Sequence, residues 1–578
     1  MAGVLALWIA VHAAAWGRLI YHDAWLYNFP VQFAFAKAMA CAGMPEWFGT
    51  IDSGTPVSLY TTSFTLTNPL RLAWLFVTSC LKPAAGTAVY LHKIHVFSLY
   101  LIFAAGMYVM GRVLYRHPLS AVYLFAATLF AGLCMETAHS DQATTILFWL
   151  PWIVACMAKF HRERREPRAH WYLNAAVLLG ALQALDETPH FTAFAAGLAA
   201  LLYAALARAA LLEGLRLHWK RLWPAALVLA LTAFHLQYLM HELGHYGSSL
   251  RYAMSAHGGL RLDTSSMNET GFAQPTGLIG AFLPLGFMAP LDSLAAGLSA
   301  WLGEIGVPGV IPFDYRPDNT IYFVGIIAIV LATVFLMRPD DARLRLGWGL
   351  FALLSFLAAL QQSRLYLLIF HLPFFDIFRS YLLLFLFGIV AILIMSGYGM
   401  DTLLTSGTAL RRRLGGHALV LTAILTADAA IALGWLFTLR KTNTGLPASL
   451  ALDAGVLLAG FAALGWAVYG ASEVRRGMAV VIAVLALSQA VYQGAVYRIL
   501  SIPMAEGIAR FGLAEADRTP LPAGVAGDPN ALERKLCTHF AECYLALRGT
   551  AARRRDPQGA LVPTRGEAPR GGVAKGEV

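Results

Sequence analysis

Thirteen apolar runs recur along the chain, near 2–20, 88–110, 118–136, 143–159, 171–186, 190–208, 222–240, 320–337, 346–361, 380–399, 417–438, 449–470 and 477–497. About twenty apolar helical residues cross a hydrocarbon layer ~30 Å thick. The composition bears this out. Of 578 residues, 58% are hydrophobic and 13% charged, against roughly 25% charged in soluble globular chains. So much apolar surface cannot be hidden in one water-soluble core. The expectation is an all-α polytopic membrane protein with about 13 transmembrane helices.

The first run lacks a basic leading segment, and Ala13-Ala14-Ala15 mimics a signal cleavage site. A cleaved signal is one reading and a retained first span the favoured one.

The net charge of +10 does not point to nucleic acid, because the basic residues are placed for topology. They cluster in alternate short loops: Arg112 and Arg116; Lys159, Arg162, Arg164, Arg165 and Arg168; Arg208, Arg216, Lys220 and Arg221; Arg338, Arg343 and Arg345; Arg411, Arg412 and Arg413; Arg475 and Arg476. All fall on one side if the N-terminus is cytoplasmic, as the positive-inside rule requires. Two long outer segments remain, 21–87 and 241–319. In the first, 29–42 and 66–81 read as amphipathic interfacial helices. Residues 1–400 read as one transmembrane module, 401–499 as further helices, and 500–578 as a polar tail, disordered from about 550. Cys41, Cys80, Cys134 and Cys156 read as packing residues. Cys537 and Cys543 can pair if the tail is extracytoplasmic.

Several outer residues are candidates for chemistry. Asp23, beside His22 and just past the first span, reads either as a general base for an acceptor hydroxyl or as an ordinary interfacial acid. Asp141 and His190 occupy the next two outer turns, which either converge on a pocket or are merely polar turns. Arg251 and Arg379 lie outside, where positive-inside sorting disfavours arginine. A guanidinium fork there fits a lipid phosphate, or else snorkels to the interface. Residues 241–245 read His-Glu-Leu-Gly-His. On a helix the two histidines share a face and can grip zinc while Glu242 activates water. A third protein ligand has no helical spacing here: the metzincin positions hold Ser248 and Arg251.

Taken together, several stretches resemble the YfhO-like family of bacterial multispanning proteins, within the GT-C superfamily of membrane glycosyltransferases. The first outer loop carries Asp23, Pro45-x-Trp47, Gly54-Thr55-Pro56 and Asn68-Pro69. LPFFDIFRSYLLL at 372–384 and GYGMDTLL at 397–404 resemble the family's signature around a late span. Thr188-Pro189-His190 matches a family turn loosely. Glu242, Ser249 and Arg251 occupy family positions, which makes the histidines around Glu242 incidental. The resemblance covers about 1–500.

The resemblance implies an inverting glycosyltransferase that takes a sugar from a polyprenyl-phosphate-linked donor. The acceptor would be an envelope glycan, lipid or protein. The enzyme would sit in the bacterial cytoplasmic (inner) membrane, with its active site facing the extracytoplasmic side. Asp23 would be the catalytic residue. Arg251 and Arg379 would bind donor phosphate, and His22, Asp141, His190 and Glu242 would shape the pocket. Some superfamily members use a divalent cation and others none, so that cofactor stays open. The expected partners are membrane lipids and the lipid-linked sugar. A non-enzymatic transporter of lipid or lipid-linked sugar is the alternative, with a zinc metalloprotease behind it.

Overall fold

In the computed structural model, the described residues are 1–20, 69–139 without 82 and 84, 142–185, 189–246, 323–370 without 361, 362 and 364, 381–438 and 446–505. Residues 29, 32, 33, 36, 47, 48, 55, 56 and 282 are also described. In chain order the elements are α1 (Ala2–Ala14), β1 (Arg18–Ile20), β2 (Trp47–Phe48), β3 (Thr55–Pro56), α2 (Pro69–Leu81), α3 (Ala85–Leu114), α4 (Pro118–Phe130) and α5 (Gly132–His139). Then come α6 (Gln142–Leu147), α7 (Leu150–Glu163), α8 (Ala169–Leu185), α9 (Pro189–His218), α10 (Trp223–Tyr246), α11 (Ile326–Met337), α12 (Ala342–Ala359) and α13 (Leu365–Phe370). The chain closes with α14 (Phe385–Thr405), α15 (Thr408–Thr438), α16 (Leu446–Gly465), α17 (Val474–Leu500) and β4 (Ser501–Pro503).

A helix or helix pair forms at each of the thirteen apolar runs. Among the described residues, seven helices are long and apolar enough to cross a membrane, or eight if the bent pair α4–α5 is one span. The protein is therefore an all-α polytopic membrane protein.

The core is built around α14, which is buried along nearly its whole length and packs on α4, α11, α12 and α17. In lipid there is little hydrophobic drive between helices, so close packing and internal hydrogen bonds carry the association. Small residues permit the approach. A Cβ on Gly388 would strike the Phe356 ring, one on Gly397 the Tyr115 hydroxyl, and one on Gly399 the Leu331 carbonyl of α11.

The 118–136 run departs from a straight helix: it bends by 40° between α4 and α5. Backbone freed inside a bilayer must find new partners, and the neighbours supply them. Gly132 N–H donates to the Phe323 carbonyl at 2.8 Å. Gln493 Nε2 donates to the Leu129 carbonyl at 3.2 Å, and Gln489 Nε2 to Val324 at 3.1 Å. Tyr100 donates its hydroxyl to Thr128. Gly325, at φ 89°, turns the chain into α11 beside Gln489, where a side chain would be strained and would collide. Two polar residues of α17 thus stitch together two breaks in neighbouring segments.

At the end of α1 the chain forms β1, which pairs antiparallel with β4: Arg18 opposite Pro503, Leu19 opposite Ile502, Ile20 opposite Ser501. Met504 N–H adds a bond to the Gly17 carbonyl at 2.8 Å. The end of the first run and the end of the last therefore lie on the same face. In the segment between β1 and α2, Phe29, Gln32, Phe33 and Ala36 are helical and buried. Their i, i+3, i+4, i+7 spacing is one helix face, so this face packs against protein. The helix expected at 66–81 is α2.

Candidate functional site

Lys93 organises one end of the bundle. Just past the end of α1 the chain turns towards β1, and Lys93, buried on α3, binds the carbonyls of that turn. Its ammonium donates to the carbonyls of Ala15 at 2.9 Å, Trp16 at 3.0 Å and Arg18 at 2.8 Å. An ammonium has three donors, and all three are used. The charge also sits over the Trp16 ring at 5.1 Å and the Tyr497 ring at 5.8 Å, a cation–π arrangement. Arg18 locks the facing strand, donating from Nε to Ser501 Oγ at 2.7 Å and from Nη2 to the Ser501 carbonyl at 2.9 Å.

Arg18, Leu19, Lys93, Val96, Phe97, Ala138 and Tyr497 line one pocket. From its wall a chain of polar atoms runs inward. Tyr497 and His12 Nδ1 share a hydrogen bond of 2.8 Å. His12 Nε2 lies 3.5 Å from Cys134 Sγ, which accepts from Trp8 Nε1 at 3.4 Å. Burial in low-dielectric surroundings makes each of these bonds worth keeping, because an unpaired partner would have no water to turn to.

Of the residues singled out from sequence, His22, Asp23, Asp141, Arg251 and Arg379 lie outside the described residues. His190 is the second residue of α9, and Glu242 lies in the last turns of α10; their side chains lie outside the description. The described flanks are informative. The β1 strand ends three residues before Asp23, and α5 ends two residues before Asp141. Arg18 and Leu19 from one flank and Ala138 from the other line the same pocket. Two motifs between β1 and α2 also meet: Trp47 pairs with Pro56 and Phe48 with Thr55.

The Gly-x-Gly-x-Asp stretch has a packing role. Gly397 and Gly399 admit Tyr115 and α11. Asp401 Oδ1 accepts the His117 N–H at 2.7 Å and the Ser120 hydroxyl at 3.4 Å, at the start of α4. An acidic group is favoured there by the helix dipole.

The helix α10 runs through His241 to Tyr246, so the two histidines share one face. Among the described residues, no group of three His, Cys, Asp or Glu could hold a metal ion. Cys134 is a buried packing residue as expected, whereas Cys80 is exposed on α2. The reading as a packing residue fails for Cys80 because it falls on the outward face of that helix.

Sequence reasoning passed over Lys93, His92 and His95. The signal was present: three ionisable residues inside an apolar run are costly in a membrane and mark a special environment. The chain matches no family model, no curated protein and no solved structure.

Proposed function

We propose that the protein is a membrane glycosyltransferase of the GT-C type, transferring a sugar from a polyprenyl-phosphate-linked donor to an envelope acceptor. One observation carries the reading: the flanks of Asp23 and Asp141 meet at one pocket, with the first flank pinned by Lys93 and β4. Rigid anchoring at the entry to the first outer segment is what a carboxylate needs if it is to be held against a reacting hydroxyl.

Asp23 takes the acceptor hydroxyl proton. The acceptor oxygen bonds to the anomeric carbon from the face opposite the phosphate, inverting it. The bond from that carbon to the phosphate oxygen breaks, and its electron pair leaves with polyprenyl phosphate. Arg251 and Arg379 neutralise the leaving group. Asp23→Asn removes the base, so transfer falls by about 10²-fold or more. Mass spectrometry of polyprenyl-phosphate sugars and envelope glycans then shows donor build-up and loss of one glycan modification. A fully active Asp23→Asn protein would refute the assignment.

A second reading, transport of lipid or lipid-linked sugar, is favoured by the broken α4–α5 segment. Discontinuous helices commonly form substrate sites in transporters. On that reading, deletion changes the glycans while Asp23→Asn does not.

A further inference from the structure

The pocket beside Lys93 does not exhaust the polar groups near this end of the bundle. On the neighbouring side of α3, a second cluster joins α3 to α2 and to the helical face at 29–36. His95 stacks on Trp74 with ring centroids 5.2 Å apart, and Trp74 meets His92 edge-on at 5.2 Å. Phe29 lies 5.3 Å from His92 and 5.6 Å from Phe33. Thr78 lies one turn beyond Trp74 on α2, and Gln32 lies between the two phenylalanines on their face.

Every polar member is buried: Gln32 and Thr78 are 2% exposed, His95 6%, Trp74 8% and Arg71 1%. Yet both amide atoms of Gln32, Trp74 Nε1, Thr78 Oγ1 and His95 Nε2 have no hydrogen-bond partner among the described residues. Buried polar atoms are almost always paired, so several left open within one aromatic-walled cluster point to a bound group. The donor set narrows the choice. An indole N–H only donates, a guanidinium only donates, and the amide and hydroxyl can donate as well. Such a set suits an acceptor-rich, negatively charged group. His92 and His95 lie within three turns of the start of α3, about 10–15 Å along the helix axis from that end.

We propose that Gln32, Trp74, Thr78 and His95, with Arg71, form a phosphate-binding site between α2, α3 and the first outer segment. For its biological ligand the proposal rests on the transferase reading, since the lipid-linked donor carries phosphate. Binding is read without turnover, so the two stand or fall separately.

The test uses the full-length protein in nanodiscs. Affinity is measured for inorganic phosphate and for polyprenyl phosphate in phosphatidylcholine discs, and native mass spectrometry follows retention of phosphatidylglycerol in mixed discs. Trp74→Phe and Gln32→Leu each remove donors while keeping most of the shape. Each is expected to weaken binding of at least one phosphate ligand by about five- to tenfold, the value of one or two hydrogen bonds. The ligand that responds identifies the source. Both variants, with Thr78→Val, should melt no lower than the native protein when ligand-free, because they remove unpaired buried groups. Asp23→Asn should bind phosphate normally even though transfer is lost. Unchanged affinity for all three ligands in both donor variants would overturn the site and leave water only as its occupant. A lower melting temperature with unchanged binding would overturn it too, in favour of a purely structural role.

Discussion

Asp401 sits at the inner end of α14 on the predicted topology and accepts the first free N–H before α4. Its neighbours Gly397 and Gly399 are spacers: the first clears the Tyr115 hydroxyl, which donates to the Ile394 carbonyl at 2.9 Å, and the second clears α11. Asp401→Ala leaves a half-buried N–H unpaired and should cost about 1–2 kcal/mol. Gly399→Ala forces two packed helices apart and should cost a similar ~1–3 kcal/mol. Detergent thermal melts check both, and a melt unchanged from native would contradict the packing role. Near the same face, Arg338 Nε donates to Asp340 Oδ1 at 2.7 Å and thereby holds the Asp340 carboxyl below its ordinary value. A depressed carboxyl stabilises the fold above its unfolded pKa of about 3.9 and loses that contribution as pH falls through the folded value. The pair is largely exposed on the Asp340 side, so the effect is ~0–1 kcal/mol. Melting between pH 6 and 3 should therefore differ little between native protein and Arg338→Ala, with the native advantage confined to the upper range. In sequence these residues read as a signature and a loop cluster; what each side chain touches became visible only when α4, α11 and α14 were brought together.

Helix placement was largely legible in the sequence. Each apolar run forms helix because a chain crossing lipid has to satisfy its backbone internally. The internal breaks were not legible. The bend between α4 and α5 and the extended Phe323–Gly325 entry to α11 depend on partners far away in sequence, Gln489 and Gln493 of α17 among them. Lys93 is the comparable case at the end of α1, since an apolar run carrying one lysine does not announce which carbonyls it will cap. Lys93→Met should remove the ammonium donor from three carbonyls around Arg18. Faster hydrogen exchange over residues 15–20, with the rest of the chain protected as before, is the expected outcome. An unchanged exchange pattern would mean that β1–β4 pairing alone holds the segment.

Across the whole molecule, the β1–β4 ribbon requires an even number of membrane crossings between residues 20 and 501. The expectation of thirteen spans predicts an even number, twelve, after the first. A Leu19→Cys, Ile502→Cys pair replaces directly opposed residues, and opposed antiparallel positions fall within the span a disulfide bridges. Oxidation of that double variant, with native cysteines replaced, should link the segments after α1 and α17 within a monomer. Each single variant should label from the same side with an impermeant reagent. Labelling from opposite sides would break the ribbon and the even count together. The sequence alone determined that the chain lives in a membrane as a set of helices, and that its basic residues cluster in alternate loops. Both follow from local hydrophobicity and charge, which need no knowledge of neighbours. Only the tertiary structure decided that both ends of the span array join in one ribbon, and that flanks far apart in the chain share a pocket. It alone decided which glycines are spacers and which buried polar atoms lack partners. Those depend on contacts between distant residues, and no local window of sequence contains them.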